Sequence, residues 1–252
     1  MSWQTPQRGG RALVTGATSG IGAATVCRLA AAGYQVLAVA RRKDKLAGLA
    51  AKTGCATLVA DVRTRDVVDA AVAFQPTVLV NNAGVGHGIA GMAGISEEAI
   101  REAIEINVLA PLLLSAAVLE GMKERGGGHI VNVGSIAGLH TLVSAVYGAG
   151  KAAIHRFSQN LRHELRGTGI RVTEICPGRV ASEFFQAAAG DSAAVAAMAT
   201  SAIHDLQPED IAETILFALS APAHVNISTI EVLPTEQSVG GVAMTPTRKR
   251  GD

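Results

Sequence analysis

The apolar residues of this chain collect in short, nearly unbroken runs separated by amphipathic stretches. The runs are ALV (12–14), QVLAVA (35–40), ATLVADV (56–62), TVLV (77–80), HIVNV (129–133), RVTEIC (171–176) and ISTIEVLP (227–234). Runs that do not alternate with polar residues suit strands covered on both faces, as in a parallel sheet. Between them lie helical stretches: one closed by Gly33, then Asp66–Phe74, one starting at Ser96, Tyr147–Gly167, and PEDIAETILFALS from about Pro208. In the Ser96 helix, Glu97 and Glu98 suit the positive end of the helix dipole, and Ile100, Ile104, Val108 and Leu112 form an apolar stripe. The alternation predicts an α/β fold: one domain over residues 1–252, with a doubly wound parallel sheet of about seven strands and helices on both faces. Ligands of such sheets bind at the carboxyl ends of the strands.

Those ends carry the candidate chemistry. The first run leads into TGATSGIG (15–22), a turn with Gly16, Gly20 and Gly22, followed by a helix. Glycines let the backbone approach a pyrophosphate, while free N–H groups and the helix end attract its charge; Thr18 and Ser19 add hydroxyls and Ile21 an apolar contact. After the second strand, where an acid would bind a ribose 2′-hydroxyl, stand Ala40, Arg41 and Arg42. Guanidinium groups here welcome a 2′-phosphate, so the expected cofactor is NADP(H) rather than NAD(H); the plainer alternative is a solvated helix start. Asp61 and Val62 suit the edge and face of an adenine. Asn81 and Asn82 can tie strand ends together, and Ala83 and Gly84 permit close approach of the cofactor. Pro177, Gly178, Val180 and Ser182, past the sixth strand, suit a carboxamide.

The stretch NVGSIAGLHTLVSAVYGAGK (132–151) brings an acid/base set. Tyr147 and Lys151 lie one turn apart on one helix face. An unperturbed phenol has a pKa of roughly 10, and a neighbouring ammonium is expected to lower it toward neutrality, making it able to exchange a proton with an alcohol or carbonyl as a hydride moves. Ser135, at a strand end, is expected to hold the reacting oxygen. Pro111 lacks the N–H that would bond the carbonyl of Asn107, leaving that carbonyl to hold a water on a proton path; an ordinary proline kink is the alternative. YxxxK alone also arises as a half-buried tyrosine with a solvated lysine. The context of the glycine turn favours the functional reading.

Composition narrows the field. A net charge of +1 and 3% aromatic residues give no basic stripe and no stacking platform, so nucleic acid is not an expected partner. Cys27, Cys55 and Cys176 show no metal or redox spacing, the histidines form no HxxxH pair, and no metal is expected. No apolar segment follows the N-terminal charges, and VLAPLLLSAAVL (108–119) is too short to cross a bilayer. A cytoplasmic protein is expected, with a polar arm at 1–10, an alanine-rich substrate flap at 183–205 and a flexible basic tail at 242–252.

With TGATSGIG (15–22), Asp61, NNAG (81–84), Asn107, Ser135, YGAGK (147–151) and PG (177–178) in order, the chain resembles a short-chain dehydrogenase/reductase from about Ala12 to about Gly241. The resemblance implies a Rossmann fold, Tyr147 as acid/base, Ser135 orienting substrate, Lys151 lowering the tyrosine pKa and bonding the nicotinamide ribose, and Asn107 anchoring a relay water. It also implies a homotetramer or homodimer built on the helices around 97–124 and 147–166. ARR (40–42) and PAHVNISTIEVLPTEQSVGG (222–241) are similar to bacterial NADP-dependent 3-hydroxy acid dehydrogenases and related aldehyde reductases. The expected reaction is hydride transfer between NADP(H) and a small secondary alcohol or carbonyl, a 3-hydroxy acid or small polar aldehyde or ketone first, with His140, Arg179 and Phe184 as candidate substrate contacts. Alternatives are a carbonyl reductase for bulkier hydrophobic ketones, a non-catalytic NADP-binding regulator, and a sugar-nucleotide epimerase, against which the glycine spacing speaks.

Overall fold

The computed structural model describes residues 9–89, 91–142, 144–189 and 203–239. Most of the polar arm, the centre of the expected flap and the expected tail lie outside them. The first half alternates β1 (Arg11–Thr15), α1 (Gly20–Ala31), β2 (Gln35–Ala40), α2 (Lys43–Thr53), β3 (Ala56–Val59), α3 (Arg65–Phe74) and β4 (Val78–Asn81). Then come α4 (Glu97–Ile104), a π-helical turn (Glu105–Leu109), α5 (Ala110–Glu124), β5 (Gly128–Val133), α6 (Ile136–Leu139), α7 (Ala145–Glu164) and β6 (Ile170–Pro177). The described chain closes with α8 (Phe184–Ala189), α9 (Pro208–Leu219) and β7 (Thr229–Val232).

The strands form one seven-stranded sheet in the order β3-β2-β1-β4-β5-β6-β7, every pair parallel. Successive residues of a strand serve opposite faces. Thus Ala12 and Val14 of β1 and Val78 and Val80 of β4 join the core under α1 and α9, while Leu13 and Leu79 join the core under α3, α5 and α7. Both faces of β1, β2, β4, β5 and β6 are covered, which is why those runs read as continuously apolar, while edge strand β3 is mostly exposed and β7 half-buried. The strand order reverses between β1 and β4, and the crevice outside their carboxyl ends is the place such a sheet offers a ligand.

Two boundaries differ from expectation. Strand β3 ends at Val59, where its pairing with Ala40 ends, so Asp61 and Val62 stand on the loop beyond it. The apolar run 108–119 lies inside a continuous helical stretch, Glu97–Glu124, that by length and composition is long enough to cross a membrane. Ala103, Ile106, Asn107, Ala110, Leu114, Val118 and Met122 are buried against the fold, as in a core helix. Within that stretch the Ala110 N–H bonds the Glu105 carbonyl, a π turn immediately before Pro111. Proline has no N–H to continue the ladder, and π turns of this kind recur at functional sites.

Candidate active site

The carboxyl ends of the strands enclose one cleft of about 670 Å³ that gathers nearly all the residues singled out in the sequence. Gly16, Thr18, Ser19, Gly20 and Ile21 line it from the first turn, Arg41 and Arg42 from the second, Asp61 and Val62 from the third and Asn82, Ala83 and Gly84 from the fourth. Ser135, Tyr147 and Lys151 line the other end, with Pro177, Gly178, Val180 and Ser182 between.

The glycine turn is built to keep backbone open. Gly16 has φ +66°, and a methyl group on its α-carbon would meet the Ala83 backbone; one on Gly22 would collide with the Gly16 carbonyl and the Asn82 amide. Asn82 secures this contact, donating from Nδ2 to the Thr15 carbonyl at 2.9 Å. Asn81 donates to Asn132 Oδ1 of β5 at 2.8 Å, and Asn132 donates to Ser158 of α7 at 2.9 Å. The two asparagines therefore lace strand ends together as their position implied, and Thr15, Asn132 and Ser158 complete the lacing without a sequence signal of their own.

At the adenosine end, Arg42 donates from Nε to Thr18 Oγ1 at 3.1 Å and from a terminal nitrogen to Glu183 at 2.6 Å, while Lys45 Nζ donates to the other Glu183 oxygen at 2.6 Å. The side-chain bonds from Arg42 and Lys45 hold the Glu183 carboxyl down, at about 2. An anion is thus gripped by Arg42 and Lys45 beside the glycine turn. Lys45, one turn after Arg42 on α2, is a member of this pair that sequence reading missed; its helical spacing from Arg42 was the available signal. Arg41 points elsewhere, 3.8 Å from Asp61 and 4.0 Å from Glu102. Arg63 grips both Asp61 oxygens at 3.0 and 2.8 Å, and this side-chain bond, ahead of other influences, keeps the Asp61 carboxyl below its usual range.

At the opposite end, Ser135 caps α6, its Oγ accepting from the Ala137 N–H at 3.1 Å, and its hydroxyl lies close enough to the Tyr147 phenol to lower its pKa. Tyr147 and Lys151 share one side of α7 and are both buried. Lys151 Nζ stands 5.8 Å from the phenol ring centroid and donates to the Val133 carbonyl at 2.7 Å. The expected electrostatic balance differs here. Burial pushes the Tyr147 phenol up to about 12, against a smaller pull from the Ser135 hydroxyl, and burial pushes Lys151 down to about 8. The ammonium's hydrogen bond goes to the backbone and not to the phenol, so desolvation prevails over the lysine charge.

Asn107 lies behind the cleft, on the π turn. Its side chain clamps the backbone of Val85, Oδ1 accepting from the Val85 N–H and Nδ2 donating to the Val85 carbonyl, both at 2.9 Å. A methyl on Gly84 would stand 3.1 Å from Asn107 Oδ1 and 3.8 Å from Lys151 Nζ, so the carboxamide and the ammonium meet across that glycine.

The three candidate substrate contacts divide. Phe184 lines the cleft, its ring 5.4 Å from that of Tyr147. Arg179 lines it too, but its Nε pairs with both oxygens of Asp205 at 2.9 and 3.1 Å and its guanidinium stacks 4.7 Å from Phe185. His140 is a correction: it is not among the residues lining the cleft, and its Nε2 meets Glu231 of β7 at 2.7 Å. The backbone leaves α6 extended at His140, which carries the ring toward the β7 edge.

A glycine turn at the switch point and a buried Ser–Tyr–Lys group opening on the same crevice define a dinucleotide-dependent oxidoreductase. More particularly, the chain belongs to the short chain dehydrogenase family, whose family model matches residues 11–193. Over 243 residues it is 39% identical to the NADP-dependent 3-hydroxy acid dehydrogenase YdfG of Salmonella typhi, covering 92% of this chain and 98% of that one. It is 36% identical over 244 residues to sulfoacetaldehyde reductase 2 of Chromohalobacter salexigens, covering 92% and 97%. Among solved structures, the closed form of serine dehydrogenase complexed with NADP+ superposes with a TM-score of 0.85 at 36% identity, covering 94% of this chain and all of that one.

Proposed function

We propose that the protein catalyses NADP(H)-dependent hydride transfer between the nicotinamide and a small hydroxy acid, a 3-hydroxy acid first, or the corresponding carbonyl. The observation that carries the reading is one cleft with a phenol–hydroxyl–ammonium group at one end and, at the other, Arg42, which together with Lys45 grips the Glu183 carboxylate. The residues present fit the cofactor: the Gly16–Gly22 turn is a cradle that a methyl group would fill, and the Glu183 carboxylate stands where a 2′-phosphate would neutralise the same two cations. NADP(H) supplies the hydride acceptor or donor and, when oxidised, a positive ring charge.

In this reading Gly16, Thr18, Ser19, Gly20, Ile21 and Gly22 take the pyrophosphate, Arg42 with Lys45 the 2′-phosphate, and Asp61 and Val62 the adenine, with Arg41 beside Asp61 at the same end of the cleft. Asn82, Ala83 and Gly84 take the adenosine-side ribose, and Pro177, Gly178, Val180 and Ser182 the carboxamide. Ser135 holds the reacting oxygen and Tyr147 exchanges its proton with it. Lys151, pointing between Val133 and Gly84, bonds the nicotinamide ribose. Burial alone leaves the phenol too weak an acid, so positive charge at Lys151 and at the ring is what brings it into range. Asn107 keeps Val85 and Gly84 in place and anchors the relay water.

A second reading, a carbonyl reductase for bulkier apolar ketones, draws support from Val85, Ile89, Leu142, Phe184 and Phe185 in the cleft, and from the pairing of Arg179 with Asp205. An NADPH-absorbance screen in both directions, over 3-hydroxy acids, short aldehydes and bulky ketones, separates the two. Turnover confined to bulky ketones removes the hydroxy-acid reading, and no turnover of any of them removes both.

The same proposal treats residues 1–252 as one catalytic domain in the cytoplasm, with 183–205 as the substrate flap, assembled as a homotetramer or homodimer. Exposed apolar Ile104, Leu109 and Leu113 on the Glu97–Glu124 stretch support assembly. Light scattering that returns a monomer mass at micromolar concentration rules it out.

A further inference from the structure

The residues that follow β6 reach across the cleft from one end to the other. Ser182 lies on the glycine turn, so close that a methyl group on Gly20 would stand 3.1 Å from its Cβ. Next in the chain, Glu183 gives one carboxylate oxygen to Arg42 and the other to Lys45, each at 2.6 Å. Phe184 then opens α8 with its ring 5.4 Å from that of Tyr147, and a methyl group on Gly86 would collide with both Phe184 and Ala188. Phe184 and Ala188 are four positions apart and share one face of α8, which is the face laid on Gly86. Residues 182–188 thus form a strap that touches the glycine turn, the two cations and the phenol.

We propose that Glu183 is a specificity-determining latch: its carboxylate holds the strap across the cleft through the same two cations that a cofactor 2′-phosphate takes, so a nucleotide carrying that phosphate releases the strap and one lacking it does not. This rests on the assignment of Arg42 and Lys45 to the 2′-phosphate. Arg42 gives Nε to Thr18 and a terminal nitrogen to Glu183, and Lys45 gives its ammonium to the same carboxylate. An anion brought to this pair meets a carboxylate of like charge, and a phosphate, with more charge and more acceptor oxygens, is the stronger partner for an arginine and a lysine side by side. The bonds from Arg42 and Lys45 hold the Glu183 carboxyl at about 2, so near neutral pH a competing anion, and not a proton, opens the latch. All three side chains are about half exposed, which keeps the ion pairs weak enough to exchange. Phe184 is the adjacent residue, so release at the adenosine end also loosens the ring that lies beside Tyr147.

Adenosine 2′,5′-bisphosphate and AMP differ only in the 2′-phosphate and test the latch on the whole protein. Two half-exposed ion pairs correspond to a competition of roughly 3- to 10-fold, so Glu183→Gln is expected to tighten bisphosphate binding by that factor in a calorimetric titration and to leave AMP within about 2-fold. Glu183→Ala, which removes the side chain's reach as well as its charge, is expected to give the same gain. Hydrogen–deuterium exchange reads the strap itself: in α8 the Ala187 N–H donates to the Glu183 carbonyl at 2.8 Å. Saturating bisphosphate is expected to speed exchange over 183–189 several-fold in the wild type, AMP is expected to leave it unchanged, and in Glu183→Gln exchange is expected to be fast with either. If bisphosphate binds the wild type more tightly than AMP but both variants bind it within 2-fold of the wild type, or if bisphosphate slows exchange in the strap or leaves it unchanged, the latch is overturned and the cofactor assignment stands. Bisphosphate that binds the wild type no more tightly than AMP overturns the assignment of Arg42 and Lys45, and the latch with it.

Discussion

Replacing Arg42 by alanine tests the cofactor assignment where the structure makes it quantitative. Its guanidinium is about half exposed and makes two bonds, to Thr18 Oγ1 and to Glu183. A charge-assisted bond to a 2′-phosphate contributes about 1.5–3 kcal/mol. Against this stands the ion pair with Glu183, which the phosphate has to displace; at this exposure such a pair contributes about 0.5–1 kcal/mol after screening. The difference, about 1–2 kcal/mol, corresponds to a loss of NADPH affinity of roughly 5- to 30-fold. Lys45 remains and limits the loss. NADH carries no 2′-phosphate, so its affinity is expected to change less than about 2-fold, within the scatter of surface substitutions. Fluorescence titrations of both nucleotides, at low and physiological salt, measure the effect, and the salt dependence of NADPH binding is expected to weaken in the variant. Equal losses for the two nucleotides, or none for NADPH, refute the assignment of Arg42 to the phosphate.

Tyr147→Phe is expected to leave NADPH binding within about 2-fold while lowering kcat by roughly 100-fold or more, the usual worth of a positioned acid/base; parallel loss of both would make the phenol structural. Because burial raises the Tyr147 pKa from the ordinary 10 to about 12, the neutral phenol stabilises the fold fully below pH 10, and that contribution is lost as pH rises through 12. The loss amounts to about 3 kcal/mol, and denaturant midpoints measured across this window should fall more steeply for the wild type than for Tyr147→Phe. Asn107→Ala strips both bonds from the Val85 backbone, with an expected cost of about 2–3 kcal/mol and a Tm lower by roughly 5–10 °C in a scanning calorimeter. An unchanged Tm would place the role of Asn107 outside the support of Val85.

Amino-acid order alone determined the alternation of buried strands and helices, the glycine turn and the helix face shared by Tyr147 and Lys151, because each follows from local periodicity and spacing. Asn81 and Asn82 were legible for the same reason: a polar pair ending an apolar strand needs partners, and the neighbouring strand ends supply them. Residues that act through contacts across the fold were not legible. Lys45 became an anion ligand when a segment far along the chain brought Glu183 to it, and Arg179 and His140 were drawn to Asp205 and Glu231. Nor does spacing reveal how deeply a phenol is desolvated. The i to i+4 relation of Tyr147 and Lys151 promised a lowered pKa, yet the layers of sheet and helix around the pair bury both groups and carry the ammonium to the Val133 carbonyl. Burial and the meeting of distant charges are properties of the packed volume, so only the tertiary structure decided them.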